Sequence, residues 1–209
     1  MRLMYLAALA ALVLATPGGL VLAGEQDKNF VLTVDGKEVG IDIGDTIEVD
    51  TAGGQKIKLA LRRAAEVTHR GGMLSFSHRG DLGVSNTDID KDIRQHLLAT
   101  ANGTIIIVQE YAGLDPTSLL ELMLTSVTEE SVAAGGKMTK ADAKRQAGGR
   151  EIKGLKAELV NGSDKTHVEA YTLGATGKGL VIITQIADDY RDADQAVLDL
   201  FWKSLKLKL

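Results

Sequence analysis

Hydrophobic and polar positions divide the 209-residue chain into four stretches of different rhythm. An apolar run covers residues 3–15, after a single early charge at Arg2, and breaks at Pro17-Gly18-Gly19. Residues 29–63 then alternate with a period of two, which predicts antiparallel strands with one buried and one wet face. "FVLTVDGKEVGIDI" is two such strands joined at Asp35-Gly36, a type I′ hairpin signal. "DTIEVD" and "QKIKLALRR" form the next pair, hinged at Gly53-Gly54, and "MLSFSH" is a further short strand.

The second half repeats one pattern twice. Residues 103–124, "GTIIIVQEYAGLDPTSLLELML", and 179–202, "GLVIITQIADDYRDADQAVLDLFW", each place a β-branched strand before an acidic turn and an amphipathic helix. In the first helix Asp115 is the expected cap, Pro116 takes the first helical position, and Leu119, Leu120, Met123 and Val127 share a face. In the second, Ala193, Ala196, Val197, Leu200, Phe201 and Leu205 form the apolar stripe. Between them "AKRQAGGREIKGLKAELV", a turn at Asn161-Gly162 and "THVEAYTL" read as antiparallel strands. Helices flanking such a sheet make an α+β layered domain, with the N-terminal β-hairpins as an appendage. The division expected is 1–23 signal peptide, 24–72 N-terminal β segment and 73–209 sandwich domain.

Residues 103–209 resemble the PsbP-like/DcrB-like sandwich family, which includes the extrinsic photosystem II subunit P and bacterial DcrB-like periplasmic proteins. The shared pattern runs from the strand "IIIVQEY" and helix "PTSLLELMLTSV" through "GREIKGLKAELV" and the hairpin "HVEAYTL…GLVIITQIA" to the closing "FWKSLKLKL". The N-terminal part lacks the aromatic-proline opening of such domains. The resemblance implies an exported, non-enzymatic domain that binds or assembles with other proteins, and it transfers no catalytic residue.

Composition narrows the role. The leader "MRLMYLAALAALVLATPGGLVLAGEQ" has small or aliphatic residues at Val21 and Ala23, so cleavage is expected after Ala23, giving a periplasmic or secreted protein. Its helix breakers argue against a retained membrane anchor, and without cysteine no acyl anchor forms. Loss of residues 1–23 removes only Arg2 among charged groups, taking the formal charge from −4 to −5. A mildly acidic chain with 4% aromatic residues lacks the field and the stacking surfaces that nucleic acid requires. The absence of cysteine also excludes disulfides, thiolate nucleophiles and thiolate metal sites.

Motif-like stretches yield little chemistry. Asp88, Asp90 and Asp92 have the first spacing of a calcium loop, but Ile93 and Ala99 occupy the positions that need Gly and Glu. The same stretch predicts a capped helix, with Ile89, Ile93, His96, Leu97 and Thr100 on one face and the aspartates in its first turn. Arg79-Gly80-Asp81 is an adhesion triplet only if it stands exposed. "GATGKG" at 174–179 misses the phosphate-loop spacing and reads as a hairpin turn. His69, His78, His96 and His167 form no ligand-spaced pair, although His69 and His78 could approach across a hairpin. Gln109, Glu110 and Tyr111 end a hydrophobic strand and are expected to reach solvent there. The sequence therefore assigns no catalytic, cofactor or metal residue and no cofactor; binding residues stay open. It points to an accessory protein with an envelope protein partner. Alternatives are a carrier of a small apolar ligand or lipid, a hydrolase with a dispersed site, and adhesion through Arg79-Gly80-Asp81.

Overall fold

The computed structural model describes residues 28–209, so the expected signal peptide and its cleavage point lie outside the described residues. The chain divides into two compact units, one ending at Arg62 and the other spanning Arg63–Leu209. In the first, β1 (Phe30–Val34) pairs with β2 (Lys37–Ile41), and β3 (Thr46–Asp50) with β4 (Lys56–Ala60), both antiparallel. Asp35 and Gly36 both have positive φ, 49° and 80°, as the I′ turn between β1 and β2 requires. Asp42 and Asp45 hold this unit's loop: Asp42 accepts from the Asn29 amide at 2.8 Å, and Asp45 from the Asp42 amide at 2.9 Å.

The second unit begins with β5 (Glu66–Arg70) and β6 (Leu74–Arg79), followed by β7 (Val84–Asp90), β8 (Ile93–Ala99) and β9 (Ile105–Tyr111). Helix α1 (Leu120–Ala133) leads to β10 (Lys137–Ala147), β11 (Arg150–Asn161), β12 (Asp164–Ala175) and β13 (Lys178–Ala187). Helix α2 (Arg191–Ser204) and the two-residue β14 (Lys206–Leu207) close the chain. The division expected at 72/73 falls inside this unit, where the pairing of β5 with β6 keeps residues 66–79 in one sheet.

Seven strands form one antiparallel sheet in the order β10-β11-β12-β13-β9-β8-β7, and three form a smaller one in the order β14-β6-β5. The large sheet is covered on both faces, which explains why β13 is buried almost throughout. On one face Leu155, Ala157, Val168, Val181 and Ile183 pack with Leu124, and Leu119, Leu120, Met123 and Val127 join them from the helical side. On the other face Val108, Ile152, Leu180 and Ile182 meet Val197, Phe201 and Trp202 of α2 and Leu74 and Phe76 of the small sheet. This is the α+β sandwich expected, an antiparallel sheet with helices against it. Asp115 caps the short 3-10 turn Pro116–Leu119 ahead of α1 by accepting from the Thr117 amide at 2.9 Å.

Two expectations are corrected. Residues 84–99 are a hairpin, not a capped helix. In β8 the two-residue period prevails because β9 supplies a ladder partner: His96 and Leu98 point inward, and Ile93, Gln95 and Leu97 share the opposite face. The aspartates serve the turn and the exposed edge strand, Asp88 pairing with Arg94 at 2.7 Å and Asp90 accepting from the Lys91 amide. In α2 the buried stripe is rotated from the expected one: Asp194, Leu198 and Trp202 are buried, whereas Ala193 and Ala196 face solvent. Asp194 is drawn inward by the Thr100 hydroxyl at 2.6 Å and the Asn102 amide at 3.3 Å.

Candidate functional site

The small sheet has two chemically different faces. Registers His69↔Phe76 and Leu207↔Leu74 turn His69, Leu74, Phe76 and Leu207 toward the core. Registers Thr68↔Ser77, Arg70↔Ser75 and Lys206↔Ser75 place Thr68, Arg70, Ser75, Ser77 and Lys206 together on the outer face. That outer face is the floor of a groove of about 900 Å³, completed by the Gly148-Gly149 turn and by Lys203 and Lys208. The centre carries short hydroxyl side chains and the rim long cationic ones. The lining contains Arg70, Lys203, Lys206 and Lys208 but no Asp or Glu. Among the described residues none of these four forms an ion pair with a carboxylate.

The groove is held rigidly from below. Ser204 Oγ, at the end of α2, accepts from the Ser77 amide at 2.7 Å and donates to the Leu200 carbonyl at 2.6 Å, tying helix to strand. Gly148 has φ 56°, and a Cβ there would press to 2.8 Å from Leu207 Cγ, so glycine lets the β10–β11 turn lie against the C-terminal strand. Trp202 underlies the groove, edge-on to Phe201 and Tyr171 at ring distances of 4.9 and 5.4 Å. The Arg145 guanidinium covers the indole at 4.6 Å while its Nη2 donates to Glu169 at 2.8 Å.

Beneath the same sheet lies a buried polar chain. Glu110, on β9, accepts from the backbone N–H groups of Met73 at 2.8 Å and Gly72 at 3.1 Å, clamping the β5–β6 turn. His96 Nε2 stands 3.6 Å from Glu110 Oε1. Its Nδ1 lies 2.6 Å from Asn86 Oδ1 and 3.0 Å from His69 Nε2. Burial by itself would raise the Glu110 carboxyl, but His96 and the two backbone donors outweigh it and hold the group below the ordinary glutamate range. His69 is held below the ordinary histidine value, first by burial and then by His96 and His78, against a smaller opposing pull from Glu110. Gly71 makes the approach possible, because a Cβ there would run into the Glu110 carboxylate and the His96 ring.

The stretches singled out in the sequence fall as follows. Glu110 and Tyr111 do not reach solvent: both are buried, and His96 together with the clamp on the β5–β6 turn offsets the cost of burying the carboxylate. His69 comes together with His96, 27 residues away, rather than with His78, whose Nδ1 contacts the Arg79 carbonyl. His167 pairs with Asp188 at 2.8 Å, and Asp188 also accepts from Arg191. Arg79-Gly80-Asp81 is half-exposed, but Arg79 and Asp81 are bonded to each other through both carboxylate oxygens. "GATGKG" is the β12–β13 hairpin, where Gly174 and Gly179 face each other and leave room for Asp115 and Pro116. Sequence reasoning missed the groove altogether; its signal was the alternation in "SLKLKL", which puts Lys206 and Lys208 on one side of an extended tail.

No family model matches the chain, and no curated protein matches it. Among solved structures the chain is similar to the solution structure of cyanobacterial PsbP (CyanoP) from Synechocystis sp. PCC 6803, at 12% identity and a TM-score of 0.48. The match covers 69% of this chain and 93% of that one. It is also similar to LpqN of Mycobacterium tuberculosis, a protein involved in cell envelope biogenesis, at 10% identity and a TM-score of 0.43, covering 69% of this chain and 91% of that one.

Proposed function

We propose that the protein is exported and serves in the cell envelope as a non-enzymatic binding or assembly accessory, with the cationic groove as the surface that takes its partner. The observation that carries this reading is charge segregation: four cations without a carboxylate line one groove of a chain whose formal charge is −4. Two like unit charges ~8 Å apart in water repel by about 0.5 kcal/mol, and salt only partly screens them. Lys203 gains from its place in the last turn of α2, but among the described residues no carboxylate pairs with Arg70, Lys206 or Lys208, whereas a complementary partner turns the same field into faster and more selective association. The leader over 1–23 supports export. Capture of the tagged protein from its own envelope extract tests the reading. A stoichiometric protein partner should be recovered, and Lys206→Glu with Lys208→Glu should lose it; equal recovery by the variant removes the groove from the account.

A second reading, a hydrolase with a dispersed site, draws on the succession of Glu110, His96 and His69, since a carboxylate 3.6 Å from one imidazole that meets a second at 3.0 Å has part of the layout of a general-base device. It requires a substrate to reach His69. Screening ester and amide substrates with the protein and with His69→Gln tests it, and turnover unaffected by His69→Gln refutes it.

A further inference from the structure

Resting on the groove reading above, we infer that the groove's occupant is an acidic, extended polypeptide segment of the partner. Three observations specify that chemistry. First, Lys206 and Lys208 stand two residues apart on the C-terminal tail, where Lys206 pairs with Ser75 and the Lys208 amide bonds the Met73 carbonyl at 2.8 Å. Two residues of extended chain span roughly 7 Å, the same repeat at which a second extended chain presents alternate carboxylates. Second, the floor is made of Thr68, Ser75 and Ser77, whose hydroxyls both donate and accept, so it can satisfy the alternating N–H and C=O groups of a peptide. A phosphodiester backbone offers acceptors alone and would leave the accepting capacity of these hydroxyls unused. Third, the site is concave, at about 900 Å³, with the cations on its rim and hydroxyls at its centre. A membrane-surface site needs the reverse, cations and apolar side chains on a protruding face.

Trp202 is the single tryptophan of the chain and borders the groove, so its emission reports occupancy directly. The test titrates the purified protein with a decaglutamate peptide at low salt. A saturable change in Trp202 emission is expected, weakened at least tenfold in the Lys206→Glu/Lys208→Glu double variant and about threefold in Arg70→Ala. Both lysines are exposed, and an unchanged melting curve verifies that the double variant folds. Lys37→Glu/Lys56→Glu, which makes the same change in net charge on β2 and β4, should bind as the parent does. Absence of a saturable change, or equal weakening by the two double variants, overturns the inference. So does tighter, lysine-dependent binding of phosphatidylglycerol vesicles than of the peptide, which would make the occupant a membrane. If decaglutamate fails while a captured envelope protein still depends on Lys206 and Lys208, the acidic-segment inference falls and the groove reading survives.

Discussion

Glu110→Gln probes the clamp that sets the small sheet, and therefore the groove floor, on the main sheet. The wild-type carboxylate accepts two backbone bonds, from Met73 at 2.8 Å and Gly72 at 3.1 Å, and lies beside His96. Glutamine keeps one carbonyl oxygen for one of these donors and turns an NH₂ group toward the other. One charge-assisted hydrogen bond is lost, worth about 1.5–3 kcal/mol, and the survivor becomes a neutral bond of about half the strength. Because Gly72 is exposed, water relieves part of the cost, so the net loss should be about 2–3 kcal/mol. In a unit of this size that lowers the melting temperature by about 5–10 °C. Urea unfolding followed by Trp202 emission measures it at constant slope. The sign with pH is fixed as well. The folded Glu110 titrates below its ordinary value of 4.5, so its stabilisation is complete above that value and disappears as pH falls through the lower, folded one. The gap between wild type and variant should close in acid. A loss under about 0.5 kcal/mol at neutral pH, or a gap that persists in acid, would refute the clamp.

Three further outcomes follow from the geometry. His69 is held below its ordinary value of 6.5, so the unfolded chain takes up that proton first. Stability should therefore begin to fall as pH drops below about 6.5, and a His69→Gln variant should lack that component in a pH series of melting curves. Gly154→Ala should cost more than about 2 kcal/mol, because its Cβ would strike the Ala170 carbonyl and the Tyr171 ring; thermal unfolding measures it. Asp194→Ala should cost about 2–3 kcal/mol, by removing the acceptor of Thr100 and Asn102 and a favourable charge in the first turn of α2; urea unfolding measures it.

Local rules were readable wherever local chemistry decides. Asp35-Gly36 specified its hairpin, Asp115-Pro116 specified a cap, and each β-branched run followed by an amphipathic stretch became a strand and a helix. Reading failed where a distant partner decides. Residues 84–99 have both a helical and a strand pattern, and the ladder from β9 selects the strand. The stripe of α2 was misplaced because Asp194, polar by type, is buried by donors more than 90 residues away. Glu110 looked like a strand end reaching water because its donors, Gly72 and Met73, lie almost 40 residues upstream. The groove unites Arg70 with Lys203, Lys206 and Lys208, and no sequence period links residues so far apart.

Site-specific photo-crosslinking in the living cell tests the groove most directly. A photoreactive phenylalanine analogue at Ser75, on the groove floor, is compared with one at Glu129, an exposed position of α1. The account predicts one discrete envelope-protein adduct from position 75, abolished by Lys206→Glu with Lys208→Glu, and none of that mass from position 129. An adduct confined to position 129, or one from position 75 that ignores the charge reversal, would contradict it.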